Sequence, residues 1–240
     1  MRCARLLRSL TAAAVFVSGL ALAAPARADA TVTRIVFNDA FTGDRGTAPD
    51  VAKWSPTPEA WLDGEGALAL DDPMRTAKTF TQKSGHAEAK IKLRRTSGAW
   101  RALGVLDERG QIPAGQVEVL ADDGVGDDEF HTYAIDWTPS TMVWSVDGVK
   151  VIRFTRAASG SPFFLALNLN SSGRRAPTML VDAVRVTIEV PVDSTPWKKF
   201  TTYKAGQYVS YKGSTYRVRE RHTSLPGWQP SLVPALFGKI

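Results

Sequence analysis

The 240-residue chain has one cysteine, Cys3, and three histidines. One cysteine excludes a disulfide framework and any Cys-rich zinc site. Three histidines leave little material for a His-ligated metal. No run reaches the roughly 20 consecutive apolar residues a membrane-spanning helix needs. No segment after residue 30 keeps a helical period for three turns, and no internal repeat or low-complexity tract stands out. At 44% apolar and 22% charged content, long-range disorder is not expected.

What is present is asymmetric. Arg2, Arg5 and Arg8 precede a mostly apolar stretch from Leu10 to Ala24, closing on Ala26-Arg27-Ala28. This reads as a secretory signal peptide over residues 1–28, which would remove Cys3 and make the mature chain extracellular. Residues 196–240 hold eight basic residues and one acidic, against 18 basic and 23 acidic in 29–195. The shift falls near Pro191-Val192-Asp193-Ser194-Thr195-Pro196, a Pro-bracketed segment read as a linker over 191–196. A basic tail is one mark of nucleic-acid binding. Here the cations are interleaved with Tyr and Gly in a secreted chain, so neither nucleic acid nor membrane is the expected partner.

Residues 29–190 read as all-β. Ala87-Glu88-Ala89-Lys90-Ile91-Lys92-Leu93 alternates apolar and charged residues, which puts one face inward. Val143–Val146 and Val149–Ile152 flank Asp147-Gly148, a strong hairpin signal because both turn residues need positive φ. Phe163–Leu169 has buried-strand character, and Met179–Val186 closes the domain. Many short strands between Gly, Asp and Pro turns predict a jelly-roll β-sandwich.

Several segments in order resemble glycoside hydrolase family 16, the concanavalin A-like jelly-roll glucanases. They are Phe41-Thr42-Gly43 through Lys53-Trp54, Ser84–Lys92, Gly98-Ala99-Trp100-Arg101-Ala102-Leu103, Phe130–Pro139 (FHTYAIDWTP), Val146-Asp147-Gly148, Leu165–Leu169 and Met179–Val186. The resemblance spans about residues 31–190. It implies a retaining endo-glycosidase, whose nucleophile, assisting Asp and acid/base lie in an E-I-D-I-x-E strand after a Gly. Retaining hydrolysis needs two carboxyls about 5–5.5 Å apart.

The matching stretch is Gly115-Gln116-Val117-Glu118-Val119-Leu120-Ala121. Gln116 stands at the nucleophile position and Ala121 at the acid/base position (Leu120 if no bulge intervenes). Neither can ionise. Glu118 stands at the assisting position. The family's second Trp is replaced by Gly104, and the segment after the strand shrinks to an acidic run, 122–129. A relocated pair of Glu118 with Asp122 is one reading of that run; solvated turn charge is the other, and a structural calcium ion a third. Otherwise no cofactor or metal is expected. Trp100, beside Gly98 and Arg101, is the leading cleft candidate, whereas Trp61, Trp137 and Trp144 divide between cleft and core. His86 and His131 read as strand or edge residues.

The C-terminal stretch resembles a chitin-binding module of carbohydrate-binding family 5/12, assigned to 197–240. The resemblance rests on Trp197, Tyr203, Ala205-Gly206, Val209, Tyr211-Lys212-Gly213, His222-Thr223-Ser224, Pro226-Gly227-Trp228-Gln229-Pro230 and Val233-Pro234-Ala235-Leu236-Phe237. It departs at Gln207 and Phe237, where the family favours Asp and Trp. The resemblance implies exposed aromatics that stack on a crystalline polysaccharide. Trp228 leads, in a turn stiffened by Pro226 and Pro230; Tyr211, Trp197 and Phe237 follow, the last two divided between ligand and core. Arg217, Arg219 and Arg221 alternate onto one strand face. The expected partner is a polysaccharide, chitin or a β-glucan, bound by a monomer. Two functions stay open: binding without hydrolysis, or a divergent endo-β-glycosidase using Glu118 with another carboxylate.

Overall fold

The computed structural model describes residues 30–55, 59–93, 98–122, 128–169 and 179–240. The expected signal peptide and residues 123–127 of the acidic run lie outside these. Among the described residues no helix is long and apolar enough to cross a membrane.

The larger part is a sandwich of two sheets. In chain order it comprises β1 (Thr31–Asp39), β2 (Ala60–Leu62), β3 (Leu68–Leu70), β4 (Met74–Arg75) and β5 (Gly85–Lys92), then a single helical turn α1 (Ala99–Ala102). It continues with β6 (Leu103–Leu106), β7 (Gly115–Val119), β8 (Phe130–Trp137), β9 (Thr141–Val146), β10 (Val149–Arg156), β11 (Phe164–Leu167) and β12 (Met179–Pro191). One sheet runs β2-β3-β12-β5-β8-β9-β10-β7, with β1 also paired to β12. The second is β4-β11-β6.

Alternation fixes which side chains meet between the sheets. In β5, Ala87, Ala89 and Ile91 are buried and Lys90 is exposed. Tyr133, Ile135 and Trp137 of β8 and Met142, Trp144 and Val146 of β9 face the same core. Register thus decides the Trp question left open by the sequence. Trp137 and Trp144 are core residues, and their indole nitrogens donate to the Gln82 carbonyl (2.9 Å) and the Leu103 carbonyl (2.7 Å). Gly85 is required by close approach, since a Cβ there would collide with the Trp137 ring. The β9–β10 hairpin turns at Asp147 (φ 47°) and Gly148 (φ 81°), both left-handed as the Asp-Gly pair requires.

Strand β12 runs five residues past Val186, where the sequence ended it, because β1 pairs with its second half. Thr33 and Thr31 hydroxyls donate to the Glu189 carboxylate at 2.6 and 2.7 Å. These bonds, Thr33 first, hold the Glu189 carboxyl below its ordinary range despite full exposure. A carboxyl with a depressed folded pKa stabilises the fold above its unfolded pKa and ceases to as pH falls through the folded value. A Glu189→Gln variant should therefore melt slightly below the parent at pH 7. The gap should close on acidification, read as thermal midpoint against pH.

The C-terminal part contains β13 (Thr195–Pro196), β14 (Thr202–Tyr203), β15 (Tyr208–Tyr211), β16 (Ser214–Val218), β17 (His222–Thr223) and β18 (Phe237–Lys239). They form a β13-β15-β16-β18 sheet and a β14-β17 ribbon. Its core is Tyr203, Val209, Tyr216, Val218 and Phe237. The predicted linker shortens from both ends, since Pro191 still belongs to β12 and Thr195-Pro196 already pair in parallel with β15. Backbone pairing wins there because strand residues on either side offer open ladder positions.

Candidate functional site

Strand β7 carries the residues matched to the catalytic motif. It extends the large sheet as an edge strand on β10, and all five of its residues are exposed. The smaller sheet ends at β6 without it. Its register pairs Glu118 with Arg153, Val117 with Phe154 and Gln116 with Thr155. Gln116 and Glu118 therefore share the solvent face with Arg153 and Thr155, and Val117 shares the inner face with buried Phe154. Arg153 Nη1 donates to Glu118 Oε2 at 2.9 Å, an exposed ion pair.

A bulge follows. The amides of Leu120 and Ala121 both donate to the Val151 carbonyl, at 2.8 and 3.3 Å, and on its other side β10 shifts register against β9 between Lys150 and Ile152. Ala121, at the acid/base position, thereby packs against the core. Asp122 is exposed just beyond it.

On the inner side of β7 lies an apolar pocket of about 150 Å³, whose walls include Trp100, Val105, Val117, Trp144, Ile152 and Phe154. No ionisable side chain lines it among the described residues. Trp100 is half-buried on α1, with the Arg101 guanidinium 4.9 Å from its ring. The pocket that Trp100 lines lies on the inner face of β7 with Val117, whereas Glu118 is on the opposite, solvent face, because successive strand residues alternate sides. Gly104 explains the missing second Trp, since any side chain there would meet the Trp100 carbonyl and Leu169. Among the described residues no group of three or more His, Cys, Asp or Glu could hold a metal. Two of the five carboxylates of the calcium reading, Asp123 and Asp127, lie outside the described residues.

In the C-terminal part, Trp228 closes a turn from Leu225. Its amide donates to the Leu225 carbonyl at 3.0 Å, and Gly227 has φ 87°. Pro at the second position and a left-handed Gly at the third define a type II turn. The Trp228 ring is half-exposed, and its inner side rests on His222, 6.2 Å between centroids. His222 in turn abuts Phe237 edge-on at 4.9 Å, and its Nδ1 lies 2.8 Å from the Glu220 carbonyl. The sequence names His222 only within the His222-Thr223-Ser224 part of the family 5/12 resemblance and gives it no role of its own. Trp197 and Tyr211, both half-buried, form a separate edge-on pair at 5.6 Å. Phe237 corrects the sequence reading. It is 2% exposed in the core, its ring packed against Tyr203 and His222, and no face remains for a ligand. Arg217, Arg219 and Arg221 are exposed.

The chain thus combines a two-sheet β-sandwich with a small aromatic-rich β module. Residues 114–189 match the family Glycosyl hydrolases family 16, and residues 196–238 match Carbohydrate-binding module family 5/12. The chain pairs a domain resembling the first family with a C-terminal module resembling the second. Chitinase A1 of Niallia circulans is 56% identical over 122 residues, covering 43% of this chain and 17% of that protein. Streptogrisin-C of Streptomyces griseus is 48% identical over 44 residues, 18% of this chain and 10% of that one. The chain thus spans less than a fifth of either relative. Two solved structures share the sandwich fold at TM-score 0.50. A non-specific endo-beta-1,3(4)-glucanase from family 16 is 20% identical, covering 67% of this chain and 96% of its own. Beta-agarase A from Zobellia galactanivorans is 14% identical, covering 72% and 98%.

Proposed function

We propose that this is a secreted, monomeric polysaccharide-binding protein that holds chitin or a related β-glycan through its C-terminal module, with a sandwich domain that does not hydrolyse. The binding half rests on the family 5/12 match and on the chitinase relative. An extracellular site of action accords with the same relatives and with the N-terminal signal-like segment. The non-hydrolytic half rests on one observation. The motif's carboxylate, Glu118, pairs with Arg153 on the face opposite the Trp100 pocket. The flanking positions are an amide, Gln116, and a methyl, Ala121. Two-carboxylate chemistry has no nucleophile or acid there. Among the described residues the lining of the pocket behind β7 is apolar, which offers no proton donor to a glycosidic oxygen either.

The test is product release. The protein without residues 1–28 and its Glu118→Gln variant are incubated with insoluble chitin and with soluble β-1,3- and mixed-linkage glucans. Soluble products are read by mass spectrometry. The expected result is no oligosaccharide from either protein, and equal depletion of both onto chitin. Products that disappear in Glu118→Gln would establish the rival reading, an endo-β-glycosidase built on Glu118 with a relocated carboxylate such as Asp122.

A further inference from the structure

Among the described residues, Phe200 is the most exposed aromatic side chain, at 64%. Its backbone is left-handed, φ 58°. A bulky residue in that region is an outlier and carries a steric cost that glycine or asparagine would largely avoid. Burial does not offset that cost, because the ring is mostly in water. The surrounding structure nevertheless enforces the conformation. The Phe200 amide donates to the Ser224 carbonyl at 2.7 Å. The Thr201 amide donates to Ser224 Oγ at 3.3 Å, and the Ser224 amide to the Thr201 carbonyl at 3.0 Å. Ser224 is fully buried, and its hydroxyl donates to the Lys198 carbonyl at 2.6 Å. Phe200 is thus held rigidly at the end of the β14–β17 ribbon. Ser224 is also the residue that leads directly into the Leu225–Trp228 turn. Phe200 and that turn therefore leave the same end of one short ribbon, and Leu225 between them is itself 42% exposed. Lys199 Nζ lies 5.8 Å from the Phe200 centroid, over one ring face. The ring still has an open apolar surface.

We propose that Phe200 is a second sugar-stacking platform, contacting a pyranose ring of the same insoluble polysaccharide that Trp228 contacts. The assignment rests on the module's reading as a polysaccharide binder and adds a contact residue to it. A large apolar ring that is both strained and exposed has no folding role that a smaller residue would not fill better. Strain kept by an over-determined backbone is characteristic of binding sites. Its rigidity means that little side-chain or loop entropy is lost on contact. The occupant follows from continuity with the Trp228 turn. The flat ring suits the C–H face of a β-linked sugar, and Lys199 beside it leaves the rim polar.

The test uses full chains without residues 1–28. Phe200→Asn keeps a residue that tolerates the left-handed backbone, so folding is preserved while the ring is lost. Its thermal midpoint should equal or exceed the parent's. Its dissociation constant on insoluble chitin should rise about fivefold. Phe200→Tyr should bind as the parent does. Unchanged chitin affinity in Phe200→Asn, alongside a clear loss in Trp228→Ala, would overturn this proposal and leave the module's reading standing. No chitin binding by the parent would overturn both. A loss of self-association in Phe200→Asn, seen by sedimentation with chitin affinity intact, would also overturn it, and would assign the ring to a contact between copies.

Discussion

Trp54→Ala is expected to destabilise the sandwich domain by about 5 kcal/mol, which is comparable to the whole stability of a marginal domain. Two separate losses combine. The first is volume. Trp54 is fully buried, edge-on to Phe37 at 5.2 Å and tilted against Phe41 at 5.7 Å. Truncating a buried Trp leaves a cavity that costs about 3–5 kcal/mol. The second is polar. The indole nitrogen donates to Asp39 Oδ2 at 2.7 Å, and Asp39 is itself buried. Without that donor the carboxylate keeps Lys53 Nζ at 3.2 Å and the Phe41 amide at 3.3 Å on its other oxygen. An orphaned buried acceptor costs about 1–3 kcal/mol. Trp54→Phe separates the two, because it keeps most of the ring and removes the donor. It should cost about 2 kcal/mol by chemical denaturation. A loss below about 1 kcal/mol for Trp54→Ala would mean that the Phe37-Phe41-Trp54 corner collapses freely and does not anchor the start of the sandwich.

Much of this was legible in the sequence. Ala87, Ala89 and Ile91 alternate because one face of β5 is buried, and that signal survives any choice of neighbours. Asp147-Gly148 is legible because few residue pairs accept two left-handed conformations. The Pro226-Gly227 turn is legible for a similar reason. Strand β7 shows the limit. Gln116, Val117, Glu118 and Val119 alternate equally well on the edge of either sheet. Which sheet they join depends on whether β6 or β10 presents the better ladder, and that is a long-range fact. The placement decides whether Glu118 faces a cleft or Arg153, so the site was less legible than the fold. Phe237 was left divided between ligand and core for a different reason: the Tyr203 and His222 packing that encloses it comes from segments 34 and 15 residues away in the chain. Phe200 carried no signal at all, since nothing in Lys199-Phe200-Thr201 announces a left-handed backbone.

Trp228→Ala is expected to weaken chitin binding about 30-fold without unfolding the module. The size follows from removing a central aromatic anchor, about 2 kcal/mol when such a ring is a hot spot. The fold is spared because the turn does not depend on the ring. Its geometry is set by Pro226, by Gly227 at φ 87° and by the Trp228 amide bonded to Leu225. The ring is half-exposed, so its loss leaves no closed cavity. His222 lies behind it and loses one neighbour, but keeps Phe237, Tyr203 and the Glu220 carbonyl. Phe237→Ala should behave in the opposite way. That ring is core, and its truncation should cost about 3–5 kcal/mol of module stability, with binding lost only through unfolding. Binding isotherms on insoluble chitin and thermal melts of both variants separate the two. If Trp228→Ala stayed within about threefold of the parent's affinity while Phe237→Ala bound weakly and melted normally, the binding face would lie on the Phe237 side, and the Pro226-Gly227 turn would present its ring to no ligand.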